Sequence, residues 1–483
     1  MPQSTQPRRG GKACVIGAGP NGLAAAIVLA QAGMEVEIFE AEADIGGAAR
    51  TMELTLPGFR HDFGSAVHPL AAGSPFFSSL PLQDFGLEWI HSPATLAHPF
   101  DDGTAVMLER DLSQAEAALG EDGKAWRHLM QPLATRWADL TTDILHPMLA
   151  WPKHPFLLAR FGLNALLPAT TVARRQFRTQ PTQALFAGLS AHSFMALNQP
   201  LTASFGLVLG AAAHAVGWPI PRGGAQSLAN ALAGYFTHLG GHITTSTRIR
   251  SFSELPPCDL TMCDITPRQL LALAGQSSAS KLTARYRRQL ANYKYGPGVF
   301  KVDYALSQPI PWNASACLRA ATVHVGGTLA DIEASEAAMA SGRHADRPFV
   351  LLAQPTLFDP SRAPTGKHIA WAYCHVPNGS TENMLDRLES QIERFATGFR
   401  GCILARRVSS PSELESMDAN LVGGDIGGGA VNLRQFVFRP TRRQYRTSAP
   451  DIYLCSSSTP PGGGVHGMCG ANAARMALHR MRH

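Results

Sequence analysis

The hydrophobic pattern opens with a β-branched and small apolar run, Ala13 to Ile16, of the kind a buried parallel strand carries. An Ala/Leu/Ile-rich stretch from Leu23 to Gln31 predicts a helix that stops at Gly33. Met34 to Glu40 then alternates apolar and polar side chains, as a second strand would. Farther along, Gly223 to Thr266 reads as a small-residue helix, a Gly240-Gly241 stop, a strand around His242 to Thr245, and another over Asp259 to Asp264. Alternation over Val299 to Tyr304, Phe349 to Ala353 and Ile369 to His375 predicts strands of a mixed sheet. Residues 384–399 predict an amphipathic helix with a solvated charged face. Gly206 to Trp218 is too short for a membrane span and contains His214, so a buried helix is expected. Asp451 to Leu454 is a last short strand, ahead of a helical ANAARMALHR.

Between the first strand and helix stands Gly17-Ala18-Gly19-Pro20-Asn21-Gly22. Strand, glycine turn, helix, strand is the order of a dinucleotide-binding unit. Gly17 permits the tight turn, Gly19 lets backbone approach a pyrophosphate, and Gly22 allows close helix–sheet packing. The helix start adds free N–H donors and a positive dipole end. Glu40 closes the second strand, where a carboxylate accepts from ribose hydroxyls and repels a 2′-phosphate, which disfavours NADP. A second glycine-rich turn lies near the other end: Cys455 to Gly470 contains Gly462-Gly463-Gly464-Val465-His466-Gly467 and feeds another helix start. Its spacing is unlike the first, so one large ligand held from both ends of the chain is the simpler expectation.

Composition narrows the class. With 483 residues the chain suggests two or three domains. A net charge of +6 suits anionic partners, but no block of five or more like charges exists to bind nucleic acid. The eight cysteines show no CxxC and no Cys/His ligand spacing, so neither a disulfide frame nor a metal site is expected, and a reducing, cytoplasmic setting is. The N-terminal MPQSTQPRRGG lacks an apolar core and reads as a short disordered arm.

Three stretches together, GPNGLAAA, then GGAART with PGFRHDFGSAVHP, and finally PPGGGVHGMCGANAA, resemble the phytoene-desaturase-related branch of the FAD-dependent amine-oxidase-like superfamily. Pro221-Arg222-Gly223-Gly224, Pro309-Ile310-Pro311-Trp312 and Gly423-Gly424-Asp425-Ile426 extend the resemblance over the whole chain. It implies an α/β fold with a Rossmann-like FAD domain assembled from separated segments, plus an α+β substrate domain with a mixed sheet and a helical layer. The FAD domain is expected at 1–90, 215–290 and 410–483, and the substrate domain at 91–214 and 291–409. The resemblance also implies FAD contacts from Gly17, Gly19, Pro20, Asn21, Gly22, Glu40, Gly46, Gly47, Arg50, Gly64, Gly463, Gly464, Val465 and Gly467. Ser456 departs from the glycine usual in that family.

A flavin carries the hydride chemistry itself, so no nucleophile or metal is needed. His68, Asp425 and His466 are the candidate catalytic groups, with Arg222 and Lys301 as further polar neighbours; each also has a plain structural role open to it. The reaction implied is dehydrogenation, or its reverse, of an apolar substrate of polyene or lipid-like kind. Two alternatives stay open: an amine oxidase acting on a C–N bond, with Trp371 and Tyr373 beside the flavin, and a non-catalytic lipid chaperone resembling the Rab GDP-dissociation inhibitors. From Ile144 through Ser253 there is no Asp or Glu, while Trp151, Lys153, Phe156, Arg160, Phe161, Arg174, Arg175 and Arg178 interleave cations with apolar side chains. That pattern suits peripheral contact with an anionic membrane surface, or a buried helical layer with snorkelling arginines.

Overall fold

The computed structural model describes residues 10–147, 150–275 and 282–482. The first nine residues of the expected N-terminal arm lie outside the described residues. The strands that build the site are β1 (Lys12–Ile16), β2 (Glu35–Phe39), β3 (Leu96–Pro99), β4 (Ala105–Leu108), β5 (His242–Thr244), β6 (Leu260–Cys263), β7 (Gly298–Leu306), β8 (Thr322–Val325), β9 (Val350–Ala353), β10 (His368–Val376), β11 (Ile403–Ser409) and β12 (Ile452–Leu454). The helices are α1 (Pro20–Gln31), α2 (Pro155–Ala165), α3 (Gln180–Ala191), α4 (Thr202–Ala215) and α5 (Met468–Met481).

Strands β12-β6-β1-β2-β5 form a five-stranded parallel sheet, drawn from both ends and the middle of the chain. Parallel pairing buries both faces, which explains why β1 is apolar rather than alternating. α1 is buried along almost its whole length, so it too is apolar all round. Pro20 starts α1 where its missing N–H costs nothing.

The second sheet has seven strands in the order β11-β7-β10-β9-β8-β3-β4, antiparallel except where β8 runs parallel to β3. Side-chain alternation separates its two faces. Phe300, Val302 and Tyr304 of β7 pack with Val323, Leu352 and Ala372 under the amphipathic helix Leu385–Phe395. Val299, Leu351 and Tyr373 point the other way, into a helical layer that includes α2, α3 and α4. The expected buried helix over 206–218 is α4, shifted a turn toward the N-terminus.

α1 and α5 cross over the five-stranded sheet. A Cβ added at Gly470 of α5 would lie 1.8 Å from the Asn21 carbonyl oxygen and 3.0 Å from the Ala25 nitrogen. Only hydrogen fits there. Gly470→Ala therefore forces the helices apart and costs about 1–3 kcal/mol of stability. The expected readout is a lower urea midpoint; an unchanged midpoint would show that this crossing is not tight.

Candidate functional site

The glycine turn after β1 is built by close approach. Gly17 has φ +98, and a Cβ at Gly22 would meet the Gly17 carbonyl oxygen at 2.0 Å. The Gly22 N–H donates to the Asp264 carboxylate at 2.8 Å, so an acid just past β6 already holds one helix-start donor. The second glycine turn packs on a third one: a Cβ at Gly463 would lie 2.8 Å from the Gly427 carbonyl oxygen. Asp425 shapes that third turn, because its two carboxylate oxygens accept from the Gly296 and Gly427 N–H groups, both at 2.7 Å.

These turns enclose two joined cavities. The first, ≈ 670 Å³, is bordered by Gly17, Glu40, Arg50, Arg248 and Asp264. The second, ≈ 770 Å³, runs from Pro20, Asn21 and His68 past Gly463, Gly464 and His466 into an apolar region with Phe161, Phe205, Leu209 and Trp371. Gly19, Gly47, Asp264, Asp418 and Asn420 border both. The result is one trough with a polar end, a waist at the α1 start, and an apolar end.

The sequence candidates fall as follows. Gly17, Glu40 and Arg50 line the first cavity, and Gly19 and Gly47 line both. Pro20, Asn21, Gly64, His68, Asp425, Gly463, Gly464, Val465 and His466 line the second. Gly22, Gly46 and Gly467 line neither: Gly46 donates to the Ala18 carbonyl at 2.9 Å, and Gly467 caps α5 at φ 67. Glu40 accepts from the Ala18 N–H at 2.7 Å and the Glu42 N–H at 2.9 Å, which fixes the carboxylate at the cavity edge. Arg50 donates to the Gly47 and Met417 carbonyls at 2.8 and 2.7 Å and lies 5.0 Å from the Phe63 ring centre. Arg222 pairs with Glu88 at 2.6 Å on the exterior and does not border the trough.

His466 accepts the Met468 N–H on Nδ1 at 3.0 Å. Burial pushes its pKa down to about 4, so the ring is neutral and carries its proton on Nε2. His68 is also held neutral by burial, with a pKa near 4. Lys301 pairs with Asp303 inside the fold and lies 5.8 Å from the Trp371 ring centre. Burial lowers the lysine and raises the aspartic acid to about 6, so both are pushed toward their neutral forms.

A feature that the sequence reading missed is a set of buried polar atoms with no partner along the trough: Asn21 Oδ1, Ser65 Oγ, both His68 nitrogens, Asn420 Oδ1, Arg439 Nε and His466 Nε2. An unsatisfied buried polar atom costs roughly 1–3 kcal/mol, so such a row calls for a long ligand rich in hydrogen-bonding groups. Asp264 was also missed. The signal for it was present, since ligands of open α/β sheets bind beyond the carboxyl ends of the strands and Asp264 directly follows β6.

Residues 15–77 match the NAD(P)-binding Rossmann-like domain family. The chain is 26% identical to the rat (Rattus norvegicus) pyridine nucleotide-disulfide oxidoreductase domain-containing protein 2, over 97% of this chain and 94% of that protein. It is 24% identical to a lycopene-forming phytoene desaturase of Pseudescherichia vulneris, over 97% and 98%. The fold matches an oxidoreductase from Methanosarcina mazei with a TM-score of 0.63 at 16% identity, covering 98% of this chain and 100% of that one.

Burial, with the Asp418 and Glu40 carboxylates nearby, pushes Asp264 up to about 8 against the opposing Gly22 N–H bond. A carboxyl raised in the fold binds its proton more readily than in the unfolded chain, so this group lowers stability as pH rises from about 4 to about 8. In cofactor-free protein, Asp264→Asn is expected to flatten that fall. Urea midpoints measured across the range check it, and parallel profiles for the two proteins would refute it.

Proposed function

We propose that this chain, which belongs to the phytoene-desaturase-related oxidoreductases, holds FAD in the trough and moves hydride to or from an apolar, lipid-like substrate. The observation that carries the reading is the trough itself: two distant glycine turns border adjoining cavities that share Gly19, Gly47, Asp264, Asp418 and Asn420 and end among apolar side chains. The residues present fit FAD. Glu40 is placed for a ribose, the α1 start and Gly47 for the pyrophosphate, and the unpartnered Ser65, Asn420, His68 and His466 atoms for the polar edge of the flavin half. When bound, FAD supplies a two-electron hydride acceptor or donor.

The chain's own contribution is orientation and exclusion of water. Val208, Leu209, Leu351, Trp371 and Phe205 wall the apolar end, where little competes with a hydrocarbon surface. His466 Nε2–H is a neutral donor at the glycine turn, suited to hold charge as it develops. Asp425 has both oxygens committed to backbone, so it positions the Gly427 loop and does not shuttle protons. The carbon–nitrogen alternative draws on the Lys301–Asp303 pair and the Trp371 and Tyr373 rings, which meet 5.0 Å apart at 79° in the cavity.

The apolar end has a route outward. Helix α2 lines the cavity with Leu158, Phe161, Gly162 and Ala165 while Phe156 and Leu163, at 89% and 76% exposed, face away. Trp151 beside it is 91% exposed, and Lys153 and Arg160 are exposed in the same segment. No single helix among the described residues is long and apolar enough to cross a membrane. A helix apolar on both sides, with one side at the cavity mouth, fits contact with an anionic bilayer from which substrate is taken. The eight thiols, all free, fit the cytoplasmic side.

Purified protein is expected to be yellow, and anaerobic addition of a polyene or unsaturated lipid to bleach the flavin band. Peroxide release with amines instead would favour the C–N oxidase, and a flavin-free protein would favour the carrier. A Cβ at Gly19 would lie 2.8 Å from Asp264 Oδ2, so Gly19→Val should lower bound flavin at least about tenfold. The double variant Trp151→Ser/Phe156→Ser should lose sedimentation with phosphatidylserine vesicles yet keep its flavin. Undiminished vesicle binding would end the membrane reading alone.

A further inference from the structure

The wall of the apolar cavity carries a cluster of polar side chains that the reading above does not use. Thr322 begins β8 and borders the cavity; its hydroxyl oxygen is buried without a partner. Ser193, 1% exposed, follows α3, borders the cavity, and has an equally unpartnered hydroxyl. His192 stands beside it on the cavity wall, and its Nε2 lies 3.2 Å from His324 Nε2. His324 sits on the same face of β8 as Thr322 and is wholly buried.

The tautomers of this histidine pair follow from its surroundings. Burial holds His192 near a pKa of 3 and His324 well below its ordinary value, so both rings are neutral. One Nε2 must therefore donate to the other. His324 Nδ1 is sealed against α3: a Cβ at Gly188 would lie 2.7 Å from it, and no partner reaches it. A proton there would be a buried, unpaired N–H, which costs more than a bare ring nitrogen. The proton of His324 is thus on Nε2 and is donated to His192. His192 must then carry its own proton on Nδ1, an atom that no hydrogen bond engages among the described residues. The cavity wall presents one N–H and two hydroxyls within an apolar surround that includes Trp218 and Phe194.

We propose that His192, Ser193 and Thr322 form a subsite for a neutral oxygen function, a ketone, aldehyde or hydroxyl, borne by an otherwise apolar substrate. The proposal rests on the apolar-substrate reading above and narrows it, because a pure hydrocarbon would leave these three groups unsatisfied. A carboxylate is disfavoured: the adjoining His375–Glu336 contact at 2.8 Å brings an acid, not a free cation, to this region. The subsite lies across the seven-stranded sheet from β7. β7 starts against the glycine turns, since a Cβ at Gly298 would lie 2.5 Å from the Gly423 carbonyl oxygen. Registers Lys301↔Tyr373, Tyr373↔Leu351 and Leu351↔His324 put β8 three strands away, a span of ~14 Å at the usual strand spacing. The oxygen function is accordingly held three strands across the sheet from Lys301.

The test is competition of 2-dodecanone and dodecane against a cavity-bound apolar fluorophore, using flavin-loaded protein. Wild type should prefer the ketone over the hydrocarbon. His192→Phe, and separately Ser193→Ala/Thr322→Val, should reduce that preference roughly three- to tenfold while leaving dodecane affinity in place. His192→Gln, which retains an N–H donor, should keep most of it. An equal ketone-to-hydrocarbon ratio in all proteins overturns the subsite and leaves the apolar-substrate reading standing. Failure of wild type to bind either ligand overturns both.

Discussion

The contact on which the structure depends is the crossing of α1 and α5 at Gly470, where the last helix of the chain rests on the backbone of the first. Helix starts carry unsatisfied N–H groups, and two of them brought side by side make a concentrated site for a polar ligand. A side chain at Gly470 would separate them, and with them the glycine turns that each helix start carries. The demand for small residues along α5 is thus a demand of the trough and not of the helix. This also explains why residues nearly four hundred or more positions apart behave as one unit: Asn21 donates to Ser457, and Ser74 donates to the His466 carbonyl.

The seven-stranded sheet solves a different problem. Its outer face closes under an amphipathic helix with mainly apolar side chains, whereas its inner face must form both a core and a cavity wall. Strict alternation lets a single strand do this: in β7, Phe300 and Val302 seal one side while Val299 and Lys301 border the cavity. Polar side chains on the inner face are costly unless paired, and Lys301 with Asp303 is paired. Thr322 and Ser193 are not, which sets them apart from the ordinary internal polar residue.

What the chain reveals on inspection is unequal. The parallel unit at the start was legible because three signals coincide within about thirty residues: Gly17, Gly19 and Gly22 at fixed spacing, an apolar run before them, and Glu40 after them. The observed elements, β1, α1 and β2, lie within a few residues of the expected bounds. The strands at 298–306 and 368–376 were legible through alternation, although their ends were not. Groups that act by meeting in space were harder to see. Asp264 reads as the tail of a strand until the Gly22 N–H is found on its carboxylate. His192 and Thr322 are separated by over a hundred residues and share no periodicity; only the pairing of β8 with β9 and the packing of α3 over that face bring them together. Asp425 was legible as an important acid between glycines, but its service to two backbone N–H groups depends on Gly296, which no local pattern indicates.

The polar end of the trough carries an electrostatic constraint that follows from these placements. Glu40, Asp264 and Asp418 all border the first cavity, and a pyrophosphate laid at the α1 start would add more negative charge to the same space. The fold answers in two ways. Arg50 is held in place by two carbonyls and by the Phe63 ring, a fixed cation at the cavity edge. Asp264, raised to about 8 by burial and its acidic neighbours, is pushed toward its neutral form, which weakens its repulsion of a phosphate. An added phosphate would raise it further, since a like charge always favours the protonated form. Ligand and proton therefore favour each other at this site, and the burial that raises the acid propping up the first helix start also eases the approach of an anionic ligand.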